Sequence, residues 1–381
     1  MKVAYANVIE DPAKLSGVTR KVAAQYAACR KAKIDLHFHL FSYHENEGLP
    51  EGVFYHLLDL PKGKAGKLSH QGRCIADTLS GYDVVILRSL ARTPLYWLAF
   101  RHRRFALVTE HHTKLFDELW GAGRKLAWAV SKASSRMCMD LSEGMVCMTG
   151  EIAEDEIAHG YPKTRPVFVI PNGITVDEVK QTGFVPFDGQ VVNVAFIAST
   201  LQPWHGLDRL AAGLSHYEGA VRVNLHVIGD IPPESVNLVN PRVGLRFHGV
   251  LTGKALDRVM GRMSLGVSTL ALFRKNMNEA CSLKTREYMA RGLPFVYAYD
   301  DPDLPNDSPF CRKLENADTP VFAESLIAFA ADMAEKASRT DISGAMRGFA
   351  ETRMDWAPKM RRYMEVASEI AATRLAGSVK A

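Results

Sequence analysis

"VFVIPNGITVDEVKQTGFVPFDGQVVNVAFIAS" (residues 167–199) closes one run of strand and helix signals and opens another. "VFVI" reads as a short buried strand, and the Asn172-Gly173 pair after it suits a tight reversal. "VVNVAFIAS" (191–199) is then a fresh apolar, β-branched strand. Upstream, "KVAYANVI", "IDLHFHLFS", "DVVILRS", "FALVTEH" and "GMVCMTG" alternate with helical patterns such as "KVAAQYAACRKA". Downstream, "VRVNLHVIGD" (221–230), "GLRFHGV" (244–250), "LGVSTLA" (265–271) and "PFVYAYD" (294–300) do the same, with "GLDRLAAGLSHY" and "GKALDRVMGRM" as helices between them. Alternation of this kind predicts an α/β chain of two Rossmann-like, doubly wound domains, joined near residues 172–190. The tail from Met346 is mostly helical, with Pro358 marking a kink or a restart. Doubly wound sheets bind ligands beyond their strand carboxyl ends, so a cleft between the domains is where chemistry is expected.

A chain of 381 residues with 47% apolar and 23% charged residues fits two soluble cores. Its six cysteines form no CxxC pair and read as buried or incidental thiols of a reducing compartment. The opening apolar stretch is short and runs straight into Glu10 and Asp11, unlike a signal peptide. The longest uncharged runs, such as "MSLGVSTLALF" (263–273), fall short of a membrane span. A cytoplasmic protein is expected, with any membrane contact peripheral. Residues 1–150 hold 21 Lys/Arg against 14 Asp/Glu, whereas the remainder holds 26 against 28. The basic first part fits an anionic partner such as lipid head groups, phosphates or an acidic glycan, and equally fits solvated surface lysines.

The stretch with the oddest charges is "NEACSLKTREYMARGLPFV" (278–296). Ser282 stands where an N-cap belongs, and Gly292 with Pro294 marks a stop, which predicts a helix of about two turns. Lys284 lies in its first turn, where the macrodipole favours an anion. Helix N-termini bind phosphate through free N–H groups, and Arg274 and Lys275 stand just upstream. Glu279 and Glu287 are acceptors for hydroxyl groups. Two acids about two turns apart, with cations between them, suit a molecule with hydroxyls at both ends and phosphate in the middle, as in a nucleotide-sugar. The same residues also fit a solvated helix with a Lys–Glu surface pair.

Other motifs are missing. "GAGRK" (121–125) lacks a third glycine and a preceding strand, and "GKAGKL" (63–68) ends in leucine where a P-loop needs Ser or Thr. There is no HExxH or GxSxG motif, and no metal is expected. His37 and His39 share one strand face without a third ligand.

Glu279-x7-Glu287 followed by "YMARGLPFV" resembles the E-x7-E element of retaining GT-B glycosyltransferases, the family 4 group. "VIPNGIT" (169–175), "FIASTLQPWHGLDRL" (196–210), "LHVIGD" and "LRFHGVLTGKALDRVM" are similar to its other segments, in the same order. The pattern looks most like bacterial polysaccharide and lipopolysaccharide glycosyltransferases. The resemblance implies an acceptor-binding domain over 1–175, a nucleotide-sugar-binding domain over 190–345, and helices over 346–381 that cross back to the first domain. It implies that Glu287 takes the donor ribose, that Glu279 takes the transferred sugar, and that backbone N–H groups near Ser282, Leu283 and Lys284 meet the diphosphate or the sugar. Gly17 would let the first domain's backbone approach the phosphate, and His111 or His112 in "TEHHT" would lie near the reacting carbon. A histidine pair at a strand end also fits a solvated or capping feature.

One departure stands out. Members of this family usually carry an arginine and a lysine in the first donor-domain loop, where this chain has Ser199 and Thr200, and then His205. Arg274, Lys275 and Lys284 are expected to supply the charge instead, with His205 as a hydrogen-bond donor. Trp204 fits either stacking on a ligand or a packing role. The implied reaction moves a hexose from a nucleoside-diphosphate sugar, with retention and without a metal or other cofactor, to a glycan or polyprenyl-diphosphate-linked acceptor in cell-surface or exopolysaccharide synthesis. "HRRF" (102–105) and "GRKLAWAVSKASSRM" (123–137) would touch the anionic cytoplasmic face of the inner membrane. No nucleic acid partner is implied. Two other readings stay open: a UDP-sugar 2-epimerase, and a non-catalytic nucleotide- or glycan-binding module on the same fold.

Overall fold

The computed structural model describes residues 1–9, 17–45, 50–59, 63–88 and 90–378. It divides into two compact units, Met1–Pro171 with Trp356–Ala381, and Asn172–Asp355.

The first unit alternates β1 (Val3–Ile9), α1 (Gly17–Lys31), β2 (His37–Ser42), β3 (Phe54–Leu57), α2 (Lys64–Thr78), β4 (Val84–Arg88), α3 (Pro94–Phe100), β5 (Ala106–His111), α4 (Leu115–Gly121), α5 (Lys125–Met139), β6 (Gly144–Cys147), α6 (Gly150–Ala158) and β7 (Val167–Val169). Its sheet is parallel in the order β3-β2-β1-β4-β5-β6-β7. The direction of winding reverses between β1 and β4, and such a switch point opens a crevice at the strand carboxyl ends. Strands β1, β4 and β5 are buried on both faces, as central parallel strands should be. Periodicity does not reveal β3, because "FYHL" is a half-exposed edge.

The second unit runs β8 (Val191–Thr200), α7 (Leu207–Ser215), β9 (Arg222–Asp230), β10 (Val243–Phe247), α8 (Gly253–Met260), β11 (Leu265–Val267), α9 (Leu283–Arg291), β12 (Phe295–Tyr297), β13 (Cys311–Lys313), α10 (Ala323–Ala337) and α11 (Ile342–Phe349). Its parallel sheet has the order β10-β9-β8-β11-β12-β13, with the reversal between β8 and β11. One face of this sheet packs with α7 and α10 in a core that includes Val194, Leu225, Leu210 and Phe329.

Helix α12 (Trp356–Ser378) follows a π-helical turn over Ala350–Met354 and belongs to the first unit. Pro358 sits in its first turn, where a missing N–H breaks no intrahelical bond, so it marks a restart. Tyr363 of α12 is fully buried and donates to Glu110 of β5.

The Asn172-Gly173 pair does not make the expected reversal. No hydrogen-bonded turn forms at 171–173, and Ile174 instead bridges Asp355 in parallel. Asn172 works through its side chain and carbonyl, as described below.

Candidate functional site

The switch point of the second unit lies where β8 and β11 end, and two loops meet there. His205 and Trp204, on the loop after β8, accept the N–H groups of Leu270 and Ala271 at 3.1 Å each. Gly206 makes this approach possible. Its φ is +71°, and a Cβ there would stand 2.7 Å from the Leu270 Cβ. The Gln202 N–H points to His205 Nδ1 at 3.3 Å, which keeps the ring proton on Nε2. Burial, with Lys284 nearby, pushes the His205 pKa down to about 3, so the ring is neutral.

α9 starts beside this loop. Ser282 occupies the N-cap position as expected, yet its hydroxyl makes no capping bond, and no acid lies in the first turn. The first-turn N–H groups are thereby left for another acceptor. Lys284 stands among them. Its stem is partly exposed, but its Nζ is buried and lacks a hydrogen-bond partner. Its one close neighbour of note is the Phe196 ring of β8, with the centroid 4.4 Å away. Burial pushes its pKa down to about 7.

What holds α9 in place is a set of buried bonds. Arg286 is fully buried, pairs with both oxygens of Asp301, reaches Asp303 at 2.6 Å, and donates to the Asn172 carbonyl at 3.0 Å. Asn172 in turn donates to the Cys281 carbonyl at 3.2 Å. Thr285 joins Ser268 and Tyr299 in a buried hydroxyl cluster.

The other expected residues divide by their partners. Glu287 lies on α9, and its Oε1 accepts from Arg291 at 3.0 Å, while Arg291 also reaches Asp257 at 2.7 Å. Glu279 bridges Asp300 as an extended pair. Leu283 is 45% exposed at the helix start. Lys275 lies over the Trp204 ring at 4.7 Å. Arg274 is already neutralised: it holds Asp208 at 2.9 and 2.7 Å and Asp318 at 2.9 Å. Two carboxylates thus share its charge. Beside it, Leu201, Gln202, Pro203, Leu207, Asp208 and Ser235 line a cavity of about 350 Å³.

In the first unit Gly17 is the first residue of α1, and the turn before it lies outside the described residues. His111 ends β5 and His112 follows it. His111 Nδ1 is 3.0 Å from Glu156, which also pairs with Arg92, and His111 Nε2 is 2.9 Å from Thr109 Oγ1. His112 Nε2 is 3.1 Å from Glu110 and 3.5 Å from Lys21 Nζ. Glu110 is fully buried and also accepts from Tyr5 at 2.6 Å. Burial alone would raise its pKa, but Lys21 and His112 hold it well below the carboxylate range. Burial and Lys21 push the His112 pKa down to about 3, so that ring is neutral.

Glu110, Lys21, Asn172, Arg286 and Phe196 are the residues that motif reading missed. A signal existed for Arg286. At 100° per residue, Lys284 and Arg286 fall on opposite sides of α9, so both cannot face solvent on a helix packed against a sheet.

Residues 16–178 match the model of Glycosyltransferase Family 4. The fold is shared with glycosyltransferases of known structure. Anabaena HepE in complex with UDP and glucose is 16% identical, with a TM-score of 0.64 over 96% of this chain and 99% of that one. The lipopolysaccharide outer core galactosyltransferase WaaB, in its apo form, is 13% identical, with a TM-score of 0.64 over 96% and 99%. Sucrose-phosphate synthase from Thermosynechococcus elongatus is 14% identical, with a TM-score of 0.66 over 97% and 99%. The chain has the GT-B fold of these glycosyltransferases. No curated protein matches this chain in sequence. Among its described residues, no helix is long and apolar enough to cross a membrane.

Proposed function

We propose that the transferase moves a hexose from a nucleoside-diphosphate sugar, a UDP-sugar first of all, to a glycan or lipid-linked acceptor in cell-surface polysaccharide synthesis, with retention of configuration. The observation that carries the donor assignment is the start of α9. An uncapped helix N-terminus with a buried, unpartnered lysine amine is short of one anion. A diphosphate fills both needs. It accepts the first-turn N–H groups near Ser282, Leu283 and Lys284, and it restores the proton on Lys284.

In this reading Glu287, held by Arg291, takes the ribose hydroxyls, and Glu279 takes the hydroxyls of the transferred sugar. Lys275 adds positive charge, and His205 donates from Nε2. Gly17 gives the phosphate a close backbone approach, and His112, backed by Glu110, contacts the sugar near the reacting carbon. The bond from the anomeric carbon to the phosphate oxygen breaks, and its electron pair leaves with the nucleoside diphosphate. The acceptor hydroxyl oxygen joins the same face of that carbon and gives its proton to the leaving phosphate. Positioning and stabilisation of the leaving charge then carry the catalysis, with no metal required.

A lipid-linked acceptor is supported by the surface of α4 and α5. Trp120 is 56% exposed and Leu126 is 80% exposed, while Lys125 and Lys132 lie over the rings of Trp120 and Trp128. Exposed aromatic and aliphatic side chains flanked by lysines suit the interface of an anionic membrane. The test of function is product analysis with UDP-, GDP- and dTDP-sugars and lipid-linked acceptors, for wild type and Glu287→Ala. Transfer by wild type alone, with the donor's anomeric configuration kept in the product, is expected. An inverted product, or epimerised sugar without transfer, would overturn the reading.

A further inference from the structure

The face of the second sheet opposite its apolar core carries polar side chains on three adjacent strands. Register sets Asn193 of β8 beside Asn224 of β9, Asn224 beside Gly244 of β10, and His226 beside Arg246. Parallel sheets are normally covered on both faces and apolar throughout. Here apolar and polar residues alternate, and the polar face forms much of the lining of a cavity of about 490 Å³, closed on one side by the end of α8.

Its chemistry is one-sided. Arg222 Nε donates to Asn224 Oδ1 at 3.3 Å, and Asn224 Nδ2 donates to Asn193 Oδ1 at 2.9 Å. Both amide oxygens are thus occupied inside the wall, and what remains to face the cavity is N–H. Arg222, Arg246 and Arg262 all line it, no carboxylate does, and none of the three enters an ion pair among the described residues. His226 Nδ1 and His248 Nε2 stand 2.9 Å apart with their rings stacked, sharing one proton. Gly244 keeps the floor open, since a Cβ there would come within 2.4 Å of Asn224 Oδ1.

We propose that this cavity is a second binding site, for a small molecule carrying phosphate or carboxylate groups. Guanidinium groups grip both oxyanions in the same two-pronged way, and the volume suits a sugar-sized body. The site is distinct from the start of α9. Asn193, at one end of the cavity, lies near the start of β8, and the His205 loop follows the end of that strand, about 23 Å further along. The proposal does not depend on which sugar the enzyme transfers.

The test is calorimetric titration of the full-length protein with inorganic pyrophosphate, glucuronate and, as a neutral control, glucose. At least one charged probe is expected to bind while glucose does not. Pyrophosphate also fits the start of α9, so binding to this cavity is the part that persists in Lys284→Met; on that background it should weaken at least tenfold in Arg222→Gln/Arg246→Gln and fall in Gly244→Ala, which keeps every charge. Pyrophosphate alone would mark a phosphorylated ligand, and glucuronate alone a carboxylated one. The proposal is overturned if neither probe binds the Lys284→Met protein, or if binding there survives the arginine and glycine substitutions.

Discussion

The strand ends of the two units treat buried charge in opposite ways. Around β5 the buried carboxylates have cations beside them: Glu110 has Lys21 and Glu156 has Arg92, with the rings of His112 and His111 alongside. At the start of α9, Lys284 has a buried amine with no partner and a helix dipole set against it. A buried charge that is fully paired fixes geometry, whereas one left unpaired stores a binding site. In the proposed function, the paired residues position the site and Lys284 meets the ligand.

The largest effect should come from breaking a paired group. Arg286→Met leaves Asp301 and Asp303 without their cation, and urea denaturation should register a loss of about 3–5 kcal/mol. Glu110→Gln should cost somewhat less, about 2–3 kcal/mol, because the amide still accepts from Tyr5 while Lys21 loses its counter-ion. If Arg286→Met were neutral, the paired groups would not be what holds α9.

Lys284→Met should behave the other way, preserving or raising stability. With a folded-state pKa of about 7 against 10.5 for the free side chain, the folded protein binds fewer protons than the unfolded chain between those values. Wild-type stability should therefore gain a rising component from about pH 7 to about pH 10, absent in the methionine variant. Thermal melts across that range would check it. A variant clearly less stable than wild type at pH 6 would mean that the ammonium has a partner after all. The smallest effect belongs to the exposed pairs. Arg274→Ala should change stability by less than about 1 kcal/mol, because Asp208 and Asp318 remain well solvated.

Much of this was legible in the sequence, for definable reasons. The central strands are continuous β-branched runs, so β1, β4, β5, β8 and β9 stand out, while β3 and β13 are short edges without periodicity. α9 was readable from Ser282 and Gly292 because punctuation by position survives even where the serine hydroxyl does not cap. Asn172-Gly173 misled because turn chemistry is a local preference. Here the asparagine bonds to Cys281 and accepts from Arg286, partners more than a hundred residues away. The pairing of Arg274 was hidden for a related reason: its counter-charges Asp208 and Asp318 are distant in sequence, and pairing across a fold leaves no spacing to read.

In the proposed function, Lys284 and the open N-terminus of α9 form a diphosphate cradle. The most direct measurement is the affinity of UDP as a function of pH, for wild type and Lys284→Met. A bound diphosphate should raise the lysine pKa, so wild-type affinity should be level below pH 7 and then fall by up to tenfold per pH unit above it. The methionine variant should bind at least tenfold more weakly at pH 7 and lack that slope. Equal affinities with parallel pH profiles would show that the lysine does not meet the diphosphate.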